Sequence, residues 1–252
     1  MRARRAPDTG VSSQQHMNTF QIAKTFAMDL LFPKHCFGCK REGTFLCASC
    51  LNDISDKVEI QRCPACSHRN FTGAFCRSCQ KISPIRRLLF AFNYKDPLPR
   101  DLIHALKYHG VKELASPLAS LLGAAVRKNA LVFPKHTLVV PIPLHTKKMR
   151  QRGFNQAELI GTPFAAEHGL TLVTDNLIRK TNTASQVTFS DFKEKKTNMQ
   201  DAFSVLRPQE FAGRRILLID DVSTSRATLD EAAYALLAAG ALLVWGIVIA
   251  RG

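Results

Sequence analysis

Beyond residue 85 the hydrophobic positions fall into short continuous runs, separated by stretches in which apolar residues recur every three or four places. The runs "LLFAFNY" (88–94), "HTLVVPIP" (136–143), "LTLV" (170–173), "RRILLID" (214–220) and "ALLVWGIVIA" (241–250) predict strands. Between them "LPRDLIHALKYHG", "KELASPLASLLGAAVRKN", "FNQAELIGTPFAAEHG" and "TLDEAAYALLAAG" predict helices, with Pro117 marking a break or a fresh start in the second. The last of them sets Leu229, Ala232, Ala233, Leu236 and Leu237 on one face. Strands that are apolar throughout are covered on both faces, so helices alternating with them imply a parallel α/β sheet over residues 85–252. Ligands of such sheets bind beyond the C-terminal strand ends.

The first third of the chain is patterned by cysteine instead. All eight cysteines lie between Cys36 and Cys79, spaced Cys36-x2-Cys39-x7-Cys47-x2-Cys50 and Cys63-x2-Cys66-x9-Cys76-x2-Cys79. A C-x2-C turn points two thiolates at one tetrahedral cation, and two turns complete a four-sulfur zinc site. Two copies of the plan predict two structural zinc ions, whose binding supplies folding energy that the small polar elements around them lack. Adjacent turns sharing a metal is the expectation, and an interleaved pairing also satisfies the spacing. A redox role for one C-x2-C pair is the weaker alternative.

Composition narrows the class. With 252 residues, 46% hydrophobic and 22% charged, the chain has the make-up of a globular protein with a full core. No apolar run reaches the roughly 20 residues of a transmembrane helix. The basic start "MRARRAPDTGVSSQQH" is followed by a segment without an apolar signal core or small-residue cleavage site, so a cytoplasmic location is expected. Residues 1–16 are expected to be a disordered leader or a misassigned start ahead of Met17, and residues 17–84 an N-terminal helix plus the zinc ribbons. The net charge of +15 is basic on both sides of residue 85 and attracts polyanions, nucleic acid or a small polyphosphate. Phe71 and Phe75 interleave with His68, Arg69 and Arg77, an arrangement that either stacks single-stranded bases or packs a ribbon core.

Two stretches carry candidate ligand chemistry. In "RRILLIDDVSTSRATLDEAA" two aspartates, Asp220 and Asp221, end the most apolar run, and the next turn carries Ser223, Thr224, Ser225 and Thr228 ahead of a helix. Adjacent carboxylates accept hydrogen bonds from a vicinal diol or hold Mg²⁺ through water. A hydroxyl-rich turn at a helix start cradles a phosphate monoester. Together they describe a ribose 5-phosphate. In "VVPIPLHTKKMRQRGFNQAE" a loop at another strand end carries Lys147, Lys148, Arg150 and Arg152, cations that offset a pyrophosphate. A third, polar stretch, "RKTNTASQVTFSDFKEKKTNMQDAF", reads as a cover over the site or as a surface hairpin.

The paired C-x2-C ribbons, "HALKYHGVKELASPLA", "PIPLHTKKMRQRGFNQAELI", "RKTNTASQ", "NMQDAF" and "ILLIDDVSTSRATL", in that order, resemble the competence protein ComF family of ComFC and GntX-like proteins. The resemblance runs from about Phe26 to the end. It implies a type I phosphoribosyltransferase-like domain behind a zinc-ribbon domain. It also implies a role in natural transformation, where imported single-stranded DNA is handled in the cytoplasm alongside a DNA helicase. By the same resemblance, Asp220 and Asp221 meet the ribose hydroxyls of phosphoribosyl pyrophosphate (PRPP) bound with Mg²⁺, Thr224, Ser225 and Thr228 its 5-phosphate, and Lys147, Lys148, Arg150 and Arg152 its pyrophosphate. The family's turn usually reads Asp-Asp-Val-x-Thr-Thr-Gly-Ala-Thr, and here Ser225 and Arg226 replace its last Thr-Gly pair. Arg226 either adds a phosphate contact or closes the cradle, and weakened PRPP binding is the expectation. Lys195 stands where the family commonly has arginine. No residue in the sequence marks an acceptor or its general base, so an active transferase and an adaptor that has lost its ligand stand beside DNA handling as alternatives.

Overall fold

A computed structural model describes residues 33–180 and 202–252. The leader, the expected N-terminal helix, Lys195 and most of the polar stretch 179–203 lie outside the described residues.

Five parallel strands form the main sheet in the order β1-β7-β6-β2-β3: β1 Arg87–Asn93, β2 Leu138–Pro141, β3 Thr171–Leu172, β6 Arg215–Ser223 and β7 Leu243–Arg251. A separate antiparallel pair, β4 (Leu177–Arg179) and β5 (Phe203–Val205), flanks the undescribed segment. The helices are α1 (Ala48–Ser55), α2 (Pro97–Tyr108), α3 (Ala115–Lys128), α4 (Thr146–Arg152), α5 (Gln156–Glu167), α6 (Pro208–Phe211) and α7 (Ala227–Ala238). Pro117 sits in the first turn of α3, after a 3₁₀ turn at Lys112–Leu114, and so marks a fresh start.

Strand alternation decides what each face buries. Leu217 and Ile219 of β6 point with Val139, Ile247 and Ile249 toward α2, α3 and α5, while Ile216 and Leu218 point with Val140, Val244 and Val248 toward α7. The helical periodicity read from α7 holds, since Leu229, Ala232, Ala233 and Leu236 are all buried against the second face.

The cysteine-rich region is not a bead on a string. Cys36, Leu46, Ile54 and Val58 of its first half join the core on the α3 face, and Phe75 and Ile85 of its second half join the core on the α7 face. The two halves therefore straddle β1, the edge strand. They also satisfy its exposed backbone: Gly73 O accepts from Leu88 N at 2.9 Å, and Glu59 N donates to Ala91 O at 2.8 Å. Between these, the buried side chain of Gln61 donates from Nε2 to Phe90 O at 2.8 Å and accepts from Phe90 N at 3.2 Å, standing in for a neighbouring strand. Unpaired edges of this kind otherwise template aggregation. Gly73 is required here, because it has φ +66° and an added Cβ would lie 2.8 Å from Leu88 O.

Candidate functional site

The cysteines resolve the pairing question. Cys36, Cys39, Cys47 and Cys50 converge as one cluster and Cys63, Cys66, Cys76 and Cys79 as another, all ligand atoms within 4.8 Å of each other. Sulfurs at the corners of a tetrahedron with a Zn–S length of about 2.3 Å lie about 3.8 Å apart. The observed Sγ separations are 3.7 Å for Cys36–Cys47, 3.7 Å for Cys39–Cys47 and 3.6 Å for Cys66–Cys76. The clusters fit two zinc ions. Burial opposes charge on Cys36 and Cys63. Yet backbone N–H groups of Cys39, Cys47 and Gly38 hold the first thiol down at about 6, and those of Cys66, Cys76 and Ala65 do the same for the second. Four thiolates leave no open coordination position, so these sites are structural.

The acid pair lies inside β6, which does not end at Asp220 as the sequence suggested but runs on to Ser223. The reason is its neighbour, since β7 continues to Arg251 and pairs Asp220 with Val248 and Ser223 with Arg251. On the other side β2 stops at Pro141 opposite Ile219, leaving both aspartates beyond its end, at the C-terminal edge of the sheet.

Adjacent strand positions face opposite ways. Asp221 turns toward α2 and is buried, with its Oδ1 2.7 Å from Lys107 Nζ. Among the described residues its Oδ2 and the buried Oγ of Ser223 have no hydrogen-bond partner. Half-buried Asp220 accepts from the Asp221 N–H at 2.8 Å. Burial, and then the charge of Asp221, push the Asp220 carboxyl up to about 7 against the pull of Lys107. Lys107 is held above its usual range: burial works to lower it, and the charge and hydrogen bond of Asp221 outweigh that.

Beyond the strand, Thr224 and Ser225 are exposed and Thr228 half-buried in the first turn of α7, with Ser225 Oγ accepting from Ala227 N at 3.4 Å. Arg226 takes an orientation that neither expectation included. Its backbone holds the left-handed conformation, φ +65°, that glycine would adopt without strain. Its guanidinium donates to Pro64 O at 2.8 Å and lies 5.4 Å from the Phe75 ring centroid, so the side chain is anchored on the second zinc ribbon. One helical turn on, Asp230 accepts from Ser83 Oγ at 2.6 Å, a second tie between ribbon and turn. Phe75 is thereby buried and not open to bases, whereas Phe71 is exposed.

The basic loop of the sequence is helix α4. His145 Nδ1 caps it by accepting from Lys147 N at 3.2 Å, and Gly153, φ +75°, closes it. Lys147, Lys148 and Arg150 are exposed. At about 100° per residue, Lys147 and Arg150 share one side of the helix and Lys148 and Arg152 another. Arg152 points to α2, its Cζ 5.6 Å from the Tyr108 ring centroid. Next to the hydroxyl turn, a polar cleft of about 330 Å³ opens at the ends of β1 and β7, lined by Glu59 as well as by Arg62, Ser67, Asn93 and Arg251.

Lys107 is the residue at the acid pair that the sequence did not single out. A lysine one turn after Ile103 on the buried side of α2 is the signal, legible only once its carboxylate partner is in place. Among the described residues no helix is long and apolar enough to cross a membrane.

Comparison with known proteins places the chain. Residues 27–80 match the double zinc ribbon domain family. The DNA utilization protein YhgH of Salmonella typhi is 32% identical over 205 residues, which cover 79% of this chain and 87% of that one. Competence protein F of Haemophilus influenzae is 29% identical over 214 residues, covering 80% and 89%. Competence protein ComFC of Bacillus subtilis is 28% identical, covering 77% and 79%. Among solved structures, a hypoxanthine phosphoribosyltransferase from Staphylococcus aureus aligns at a TM-score of 0.34 and 12% identity, over 54% of this chain and 62% of that one. With this sequence similarity, the double ribbon and the parallel α/β domain in family order, the chain belongs to the ComF family, alongside YhgH, competence protein F and ComFC.

Proposed function

We propose that this protein handles single-stranded DNA in the cytoplasm during natural transformation, with its phosphoribosyltransferase-like domain binding a ribose 5-phosphate ligand, PRPP with Mg²⁺, at the turn after β6. The observation that carries the ligand reading is a pair of buried oxygens, Asp221 Oδ2 and Ser223 Oγ, without a partner among the described residues, at the sheet edge where parallel α/β domains bind ligands. Asp220 and Asp221 would take the diol and the metal, and Thr224, Ser225 and Thr228 the phosphate. Arg226 leaves this cradle open, because its guanidinium is held by Pro64. The exposed cations of α4 support contact with a polyanion, and the names of the relatives, DNA utilization protein and competence protein, point to DNA as that polyanion. A DNA helicase of the competence machinery is the partner that fits this role.

Active pentosyl transfer is the second reading, favoured by the carboxyl of Asp220, which titrates near neutral pH at the ligand edge. Calorimetric titration of the zinc-loaded protein with PRPP and Mg²⁺ tests the ligand. Saturable binding is expected, and heat no larger than dilution would leave an adaptor whose α/β domain has given up its ligand. For DNA, affinity for a single strand should fall steeply with salt. Lys147→Ala with Lys148→Ala should weaken it and flatten the slope by about one to two units. Unchanged affinity in that double variant removes α4 from the DNA surface.

A further inference from the structure

Beside the acid pair, helix α2 ends in an aromatic group that neither the ribose ligand nor the zinc sites use. Tyr108, its last residue, is 66% exposed. Its ring is nonetheless held from two directions. His104, one turn earlier, meets it edge-on at 5.1 Å and 62°, and Arg152 of α4 approaches the ring to 5.6 Å. His104 is in turn fixed by the Tyr94 hydroxyl, 3.2 Å from Nε2. Lys107, next in the chain to Tyr108, is locked onto Asp221 at 2.7 Å, which ties the end of the helix to the sheet edge.

An exposed ring held in one orientation is a low-entropy platform, because ordering it costs little when something stacks on it. Every nucleobase has a π-face, and stacking on an aromatic side chain is the sequence-tolerant way to hold a single strand. Charge is supplied alongside: α4, which contributes Arg152 to the ring, also carries exposed Lys147, Lys148 and Arg150 within a helix about 10 Å long. Phosphates and a base of one strand thus find their partners side by side.

We propose that Tyr108, braced by His104 and Arg152, is a stacking site for an unpaired nucleobase of single-stranded DNA. This rests on the DNA-handling reading and adds where the base, as distinct from the phosphate, is held. The test compares two fluorescent oligonucleotides of equal length and phosphate count, oligo-dT and one made of abasic sites, in anisotropy titrations with the zinc-loaded full chain. Wild type should prefer oligo-dT by about five- to a hundredfold. Tyr108→Ala should abolish that preference while leaving the salt slope, which counts phosphate contacts, in place. Tyr108→Trp should retain it, which separates stacking from any loss of folding. Equal binding of both oligonucleotides by wild type, or a base preference that survives Tyr108→Ala, overturns the site and leaves DNA handling standing. Binding of neither by wild type overturns both.

Discussion

Arg226 sets opposing terms against each other at a single position. Holding a non-glycine residue in the left-handed region costs about 1–2 kcal/mol. Against this stand a charge-assisted hydrogen bond to Pro64 O, about 1.5–3 kcal/mol, and the contact with the Phe75 ring, about 0.5–1 kcal/mol. The buried Nε, which has no partner among the described residues, takes back part of that gain, and attraction to Asp230 one turn on restores some of it. The contacts win narrowly, so Arg226→Gly should lower the melting temperature by no more than about 2–4 °C despite relieving the backbone. A variant that melts higher than wild type would show that strain dominates. Asp220 gives a pH-dependent counterpart. Burial and its charged neighbour raise its carboxyl to about 7, above the value near 4 of an unfolded chain. The stability that it contributes is therefore full below about pH 4 and lost as pH rises through 7. Asp220→Asn, neutral at every pH, should gain melting temperature over wild type between pH 5 and pH 8. Parallel profiles would mean that Asp220 is already ionised at pH 5. Ligand binding has the opposite sign: a cation or diol selects the ionised carboxylate, so PRPP affinity should improve from pH 6 to pH 8.

Among the elements, the β1 edge depends on one side chain. Gln61→Ala orphans the buried N–H and C=O of Phe90, each worth about 1–3 kcal/mol, and should destabilise the protein by about 2–4 kcal/mol in a denaturant titration. Faster hydrogen exchange at the Phe90 amide would localise the effect, and an unchanged rate there would refute it. The strand itself was plain in the sequence, because a run as apolar as "LLFAFNY" has nowhere to go but a covered sheet. Its capping by Gln61 was not, since a glutamine among cysteines carries no sign of a strand edge 29 residues further on. The same distinction explains the two local misreadings. Helix α4 lacks any apolar period because it buries nothing, so only its caps, His145 and Gly153, announce it. β6 outruns its hydrophobic stretch because β7 pairs it to the end, a tertiary effect that overrides the polar identity of Asp220 and Asp221. The zinc ligands were legible down to their number because metal geometry is written in local spacing. Lys107 and the anchoring of Arg226 were not, because each is defined by a partner remote in sequence.

At the scale of the whole molecule, the zinc ribbons and the α/β domain share their cores, which gives zinc removal a consequence beyond the cysteines. Structural zinc contributes about 10–16 kcal/mol in isolated fingers, comparable to the whole stability of a typical domain at about 5–15 kcal/mol. An appended ribbon would lose that energy alone. Here Cys36, Leu46 and Ile54 pack with the α3 face, Phe75 and Ile85 with the α7 face, and the backbone of residues 59–75 hydrogen-bonds β1. Removing zinc with a strong chelator should therefore speed hydrogen exchange over 36–79 and also over β1. It should free Arg226 from Pro64 as well, loosening the turn at 223–228, whereas β2 and the centre of β6, which no described ribbon residue touches through its backbone, should keep their protection. Exchange that rises only within 36–79 would show that the shared core survives without metal and that the ribbon is a separable unit. If the β1 and 223–228 amides respond together with the cysteines, ligand binding at the turn depends on zinc in a site that never touches the ligand. PRPP affinity should then fall in step with zinc content across a partial chelation series.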